Sequence, residues 1–232
     1  YPRSHSAPGH YRRPAGAAIV QIVVPGEPSG SPRRDSKAIV YATWNDETLG
    51  TIRVASVPGG APRIVSEKPG HYLDPVFSPD GARIVYTKVT GGFLRSTNWS
   101  SDPGIYVVPA AGGKPSLVVE DAFAPRFGRA SDRVFYVKTE GGGDQIAPEK
   151  RVFASIELDG SDAHEYYLSE LAQEFAISPD GKWLAFREGF QAYVTPFIET
   201  GRRVDIGPKS KAVPVTRVSR DAGENLAFSG DS

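Results

Sequence analysis

Side chains able to do chemistry are few in this chain and are poorly spaced for catalysis. Cysteine is absent, which removes thiolate zinc sites, disulfides and cysteine nucleophiles. Four histidines remain, His5, His10, His71 and His164. The closest pair, His5 and His10, lies in a Pro- and Gly-containing arm with no regular element to fix ligand geometry, so no metal is expected there. A serine nucleophile would need the strained Gly-x-Ser-x-Gly elbow between strand and helix. Gly26-Glu27-Pro28-Ser29-Gly30 has the wrong spacing and carries proline. Gly112-Gly113-Lys114-Pro115-Ser116 ends like a phosphate-cradling loop but lacks the upstream glycine and the following helix. Asp159-Gly160-Ser161-Asp162 offers fewer oxygens than calcium requires. Both read as turns, and no catalytic residue or cofactor is assigned to this chain.

What remains is chemistry of binding. Asp74 and Glu174 stand 100 residues apart, at the same position of an internal repeat, where convergent carboxylates would take a cation or a basic ligand; a solvated wall is the alternative reading. Arg95 and Trp99 lie in a Gly- and Ser-rich insertion between strands, Gly91 to Pro103, and are residue types that anchor interfaces. Trp99 packed on its own repeat is the alternative. Arg202, Arg203, Lys209, Lys211, Arg217 and Arg220 make a basic stretch, but it holds no Phe, Tyr or Trp on which bases could stack. Nucleic acid is therefore not an expected partner, and the stretch reads as a solvated edge that discourages strand-to-strand aggregation.

The elements that position these residues follow from a repeat. Ser78-Pro79-Asp80-Gly81 recurs at Ser178-Pro179-Asp180-Gly181, with degenerate copies at Gly128 to Asp132 and Ser229 to Ser232. The period is thus about 50 residues, the range of WD-type and kelch repeats. Proline presets φ at the second turn position, and glycine accepts the positive φ that reverses the chain. A short apolar strand ending in an aromatic follows each corner: Arg83-Ile84-Val85-Tyr86, Arg133-Val134-Phe135-Tyr136 and Trp183-Leu184-Ala185-Phe186. Third strands follow at Thr51 to Val57, Gly104 to Val108, Arg151 to Ile156 and Gln191 to Thr195. Second turns at Gly59-Gly60, Gly112-Gly113, Asp159-Gly160 and Thr200-Gly201 lead into fourth strands. Four strands per repeat predict an all-β chain, a β-propeller of four-stranded antiparallel blades. The blades are expected at 31–73, 74–121, 122–173 and 174–222, with the opening strand of a fifth at 223–232. Residues 1–30 are expected to form an irregular arm, with Ala17 to Val24 reading as an outer strand of a preceding blade. Leu168 to Ala176, the one segment with helical spacing, reads better as a linker turn between blades.

Composition agrees. A chain of 232 residues forms one large or two small domains. Glycine and proline together make about 19% of it, above the roughly 12% of ordinary proteins, which disfavours a helical bundle. Lys and Arg balance Asp and Glu at 27 each, so no global field selects an anionic partner. No apolar run is long enough for a membrane-spanning helix, and membrane insertion is not expected. Methionine is absent and the fifth repeat only begins, so the chain is expected to be a piece of a longer protein.

Leu73-Asp74-Pro75-Val76-Phe77-Ser78-Pro79-Asp80-Gly81, followed by Arg83 to Tyr86, Gly104 to Val108 and Gly112-Gly113, resembles the PD40, or TolB-like, WD40-related propeller repeat. Ala185 to Val194 and Pro214 to Glu224 resemble, more narrowly, the propeller of large bacterial proteins that continue into a metal-dependent amidohydrolase barrel. That resemblance runs over about residues 36 to 232. It implies export, hence a periplasmic or secreted location, and a divalent metal such as zinc in a domain outside this chain. The family's His-x-His ligand pair has no counterpart among the four histidines. The implied role is a non-catalytic scaffold that docks another domain of the same protein, a protein partner or a substrate. Blade faces meant for neighbours also predict homo-oligomerisation. A standalone envelope propeller and the propeller of a prolyl-oligopeptidase-type serine peptidase are the alternatives.

Overall fold

The computed structural model describes residues 30–45, 47–90, 102–141, 149–223 and 225–228. Arg95, Trp99, His5, His10 and the strand expected at Ala17 to Val24 lie outside the described residues.

The repeated corners close by side-chain chemistry as well as by proline and glycine. Ser78 Oγ donates to Asp80 Oδ1 at 2.5 Å and accepts the Arg83 N–H at 2.9 Å, while the Ala82 N–H donates to Asp80 Oδ1 at 2.9 Å. Gly81 takes a φ of 71°. Ser178 repeats this with Asp180 at 2.6 Å, Trp183 N–H at 2.9 Å and Lys182 N–H to Asp180 at 3.0 Å. A related turn, Arg33 to Lys37, keeps the frame, with the Lys37 N–H donating to Asp35 Oδ1 at 2.9 Å. There Ser36 stands at the glycine position, with a φ of 58°.

Each corner joins the innermost strand of a sheet to the next. Gly30–Pro32 (β1), Ala38–Thr43 (β2), Thr51–Ser56 (β3) and Arg63–Ile64 (β4) form the first sheet; His71–Phe77 (β5), Arg83–Val89 (β6), Gly104–Pro109 (β7) and Ser116–Glu120 (β8) form the second. Ala122–Phe127 (β9), Arg133–Glu140 (β10), Lys150–Glu157 (β11) and His164–Ser169 (β12) make the third. Ala172–Ile177 (β13), Trp183–Glu188 (β14) and Gln191–Pro196 (β15) start the fourth. Val204–Asp205 (β16) then adds to β12 in parallel, on the outer edge of the third sheet, and Thr216–Arg217 (β17) completes the fourth. The strands of each blade are otherwise antiparallel, there is no helix among the described residues, and the sheets are the blades of a β-propeller.

Two readings of the connections shift. The turn at Thr200-Gly201 leads to β16, which joins the neighbouring sheet, because Val204 and Ile206 have an apolar core to cover there. Leu168 to Ala176 is the end of β12 and the start of β13, turned by Ser169, whose Oγ accepts the Ala172 N–H at 3.0 Å. Residues 225–228 carry no strand.

The period-2 alternation of the middle strands stitches the blades together, because successive side chains point to opposite faces. Ile84 and Tyr86 pack with Val40 and Ile52 of the first sheet, whereas Val85 packs with Val134 and Val152 of the third. Phe135 and Val137 turn the other way from Val134 and Tyr136, joining Phe175, Leu184 and Phe186 of the fourth. Fully burying side chains such as Phe153, Phe186 and Ile84 contributes about 1.5–3 kcal/mol each.

Candidate functional site

The innermost strands share one irregularity, and it positions the predicted carboxylates. Register slips by one residue between Leu73 and Val76, between Phe123 and Arg126, and between Ala172 and Glu174. These are β-bulges, and they tolerate Pro75 and Pro125 where a regular strand would not. Asp74 and Ala124 take positive φ there, 49° and 53°.

At this bulge Asp74 and Glu174 do come within each other's field, together with Arg126 of β9. Burial pushes the Asp74 carboxyl above its usual range; Arg126 works against that rise and the Glu174 carboxylate adds to it. Glu174 is held from two sides. Arg187 Nε lies 3.4 Å from Glu174 Oε2, and the Leu226 N–H donates to Glu174 Oε1 at 2.6 Å. Arg187 is itself fixed by Gln173 and by the Gly189 carbonyl at 2.8 Å. Glu174 thereby ties the 225–228 segment to the fourth blade. Among the described residues, no group of three or more His, Asp or Glu is placed to hold a metal ion.

A second site escapes the sequence reading. Between the third and fourth blades lies a cleft of about 500 Å³, lined by the ends of β12 and β14, the start of β11 and the 205–210 segment. Each wall is fixed locally. Glu188 and Gln191 pair across the two-residue turn Gly189-Phe190, with Gly189 at a φ of 58°. The Ile206 N–H donates to the Leu168 carbonyl at 2.8 Å, and Ser210 closes the loop through its N–H to Gly207 O at 3.0 Å and its Oγ to Asp205 O at 3.1 Å. Ser169 turns the chain so that Leu171 is left 65% exposed at the rim. The signal that could have found this cleft is the length of the connection from Pro196 to Thr216, far beyond the usual 2–5 residues of a hairpin. Basic residues nearby are partly engaged: Arg203 pairs with Glu140 and, at 3.1 Å, with Glu165.

Comparison with known proteins gives fold and no more. No family model matches the sequence, and no curated protein matches it. Among solved structures, the putative TolB of Agrobacterium tumefaciens is similar at 19% identity and a TM-score of 0.53, over 72% of this chain and 57% of that one. An oligogalacturonate lyase in complex with manganese is similar at 14% and 0.58, over 90% of this chain and 58% of the lyase. The acylaminoacyl peptidase of Pyrococcus horikoshii is similar at 13% and 0.51, over 84% of this chain and 33% of the peptidase. The chain therefore spans less than two thirds of each of these proteins, and what they share with it is the TolB-like β-propeller fold.

Proposed function

We propose that this chain is the non-catalytic propeller region of an exported, amidohydrolase-type protein, and that it serves as scaffold and as a binding module for a protein or substrate. The observation that carries the reading is that the two segments resembling that family, Ala185 to Val194 and Pro214 to Glu224, supply β14, β15 and β17 of a single blade, and that this blade borders the cleft at Glu188. Repeated, interlocked blades give a rigid frame on which loops can carry recognition. The likeness to a putative TolB supports a periplasmic or secreted location. The divalent metal belongs, on this reading, to a following barrel. Reading the gene beyond Ser232 tests it: a downstream barrel with a His-x-His pair supports it, and its absence overturns it.

A second reading is favoured by the likeness to acylaminoacyl peptidase and prolyl endopeptidase chains, of which this chain covers 33% and 29%. In that case the gene continues into a Gly-x-Ser-x-Gly hydrolase. A frame that stops after further blades would instead give the standalone envelope propeller.

A further inference from the structure

The cleft between the third and fourth blades has the size of a ligand site, about 500 Å³ against roughly 300–1,000 Å³ for typical pockets. Its charges do not cancel. Lys150 Nζ lies 3.1 Å from Glu170 Oε1 and neutralises it. Glu188, Asp205 and Lys209 remain, leaving one net negative charge. Glu188 is half-buried, and among the described residues its carboxylate has no hydrogen-bond or ion-pair partner, burial being the one influence on it. Its Oε2 reaches over Gly207, 3.6 Å from where a β-carbon would stand, so the group projects into the cleft. Partial desolvation holds its carboxyl above the ordinary range, as for an acid part-withdrawn from water with no cation beside it. Beside it stand the exposed Leu171 and the ring of Pro208.

A bare divalent ion fits poorly, because among the described residues no three carboxylates are grouped to hold one and the apolar wall would go unused. A long basic side chain satisfies both features, its charged head meeting the carboxylate and its stem or neighbour covering the apolar rim. We propose that this cleft binds a polypeptide segment presenting an arginine or lysine next to an aliphatic residue, the cation resting on Glu188 and the aliphatic side chain on Leu171 and Pro208. The assignment deepens the binding-module reading and rests on it, but the gene-sequence test and the test below fail separately.

The test titrates the ¹⁵N-labelled full chain with acetyl-Arg-Leu-Gly-amide, acetyl-Lys-Leu-Gly-amide and acetyl-Gln-Leu-Gly-amide. The two basic peptides should shift the amides of residues 168–171 and 206–210, and the Gln peptide should bind about tenfold more weakly. Glu188→Gln should bring the basic peptides down to the Gln level, and Leu171→Ser should weaken all three. Should Glu188→Gln perturb the fold, the peptide comparison on the parent chain and Leu171→Ser decide the matter. Equal affinity for the Arg and Gln peptides, shifts confined to other surfaces, no shifts at all, or an unaltered Glu188→Gln titration would overturn the assignment.

Discussion

Replacing Ser78 or Ser178 by alanine removes one oxygen from a corner and asks whether that oxygen holds the blade. Both serines are fully buried. Each hydroxyl donates to an aspartate, at 2.5 and 2.6 Å, and accepts a strand N–H at 2.9 Å. Alanine leaves the Arg83 or Trp183 N–H without its partner, a loss of about 1–3 kcal/mol for a buried polar group, and also deprives the carboxylate of its nearest donor. The sum is about 2–3 kcal/mol per site. For a chain of this size that lowers the melting temperature by roughly 5–10 °C. The two corners lie in different blades, so the double variant should show the sum of the single effects to within about 0.5 kcal/mol. Urea titrations followed by tryptophan fluorescence and by circular dichroism would give the values. A loss under about 1 kcal/mol at both sites, or a large loss at one and none at the other, would refute the equivalence of the corners and the reasoning behind it.

Ser36→Gly and Ala124→Gly should each raise stability by about 1 kcal/mol, because both side chains sit at positive φ where glycine alone is unstrained; thermal melts that fall would contradict this. Phe186→Ala should cost about 3–5 kcal/mol, since the ring is fully buried and stacks at 5.2 Å on Tyr193; a loss below 1 kcal/mol in urea would show that the inter-blade core is not formed. The Asp180 carboxyl, held at about 2 chiefly by the Ser178 hydroxyl, and that of Asp35, held at about 2 chiefly by Arg33, have folded values below their unfolded ones. Their stabilisation is therefore complete above about pH 4 and disappears as the pH falls towards 2. Melts from pH 6 to 2 should show that decline, and Asp180→Asn should flatten it; an unchanged slope would be inconsistent with the corner geometry.

The sequence reveals the architecture because a corner, a strand and a core face each have a local signature. Ser178, Pro179, Asp180 and Gly181 determine a turn by their own chemistry, and Leu184 and Phe186, two apart, feed one core face. That Asp74 and Glu174 hold the same repeat position, within each other's field, follows from the 50-residue period together with the arrangement of blades about an axis. Their partners do not follow from it. The Leu226 N–H that reaches Glu174 lies 52 residues away, and nothing in local composition encodes that distance. The cleft is harder still. Glu188 looks like an ordinary charge ending a strand, and its isolation depends on where the Gly207 turn happens to lie. The joining of Val204 to Tyr167 is decided by an uncovered apolar edge on another blade, a tertiary fact that overrides the expectation of a simple hairpin.

The account depends on consecutive side chains of one strand serving different blades, and methyl NOEs read this directly. Ile84 should show cross-peaks to Val40 or Ile52 and none to Val134, while its neighbour Val85 should see Val134 or Val152 and not Val40. If both methyl sets reported the same sheet, or neither reached residues of another, the chain would not be a propeller of stacked blades.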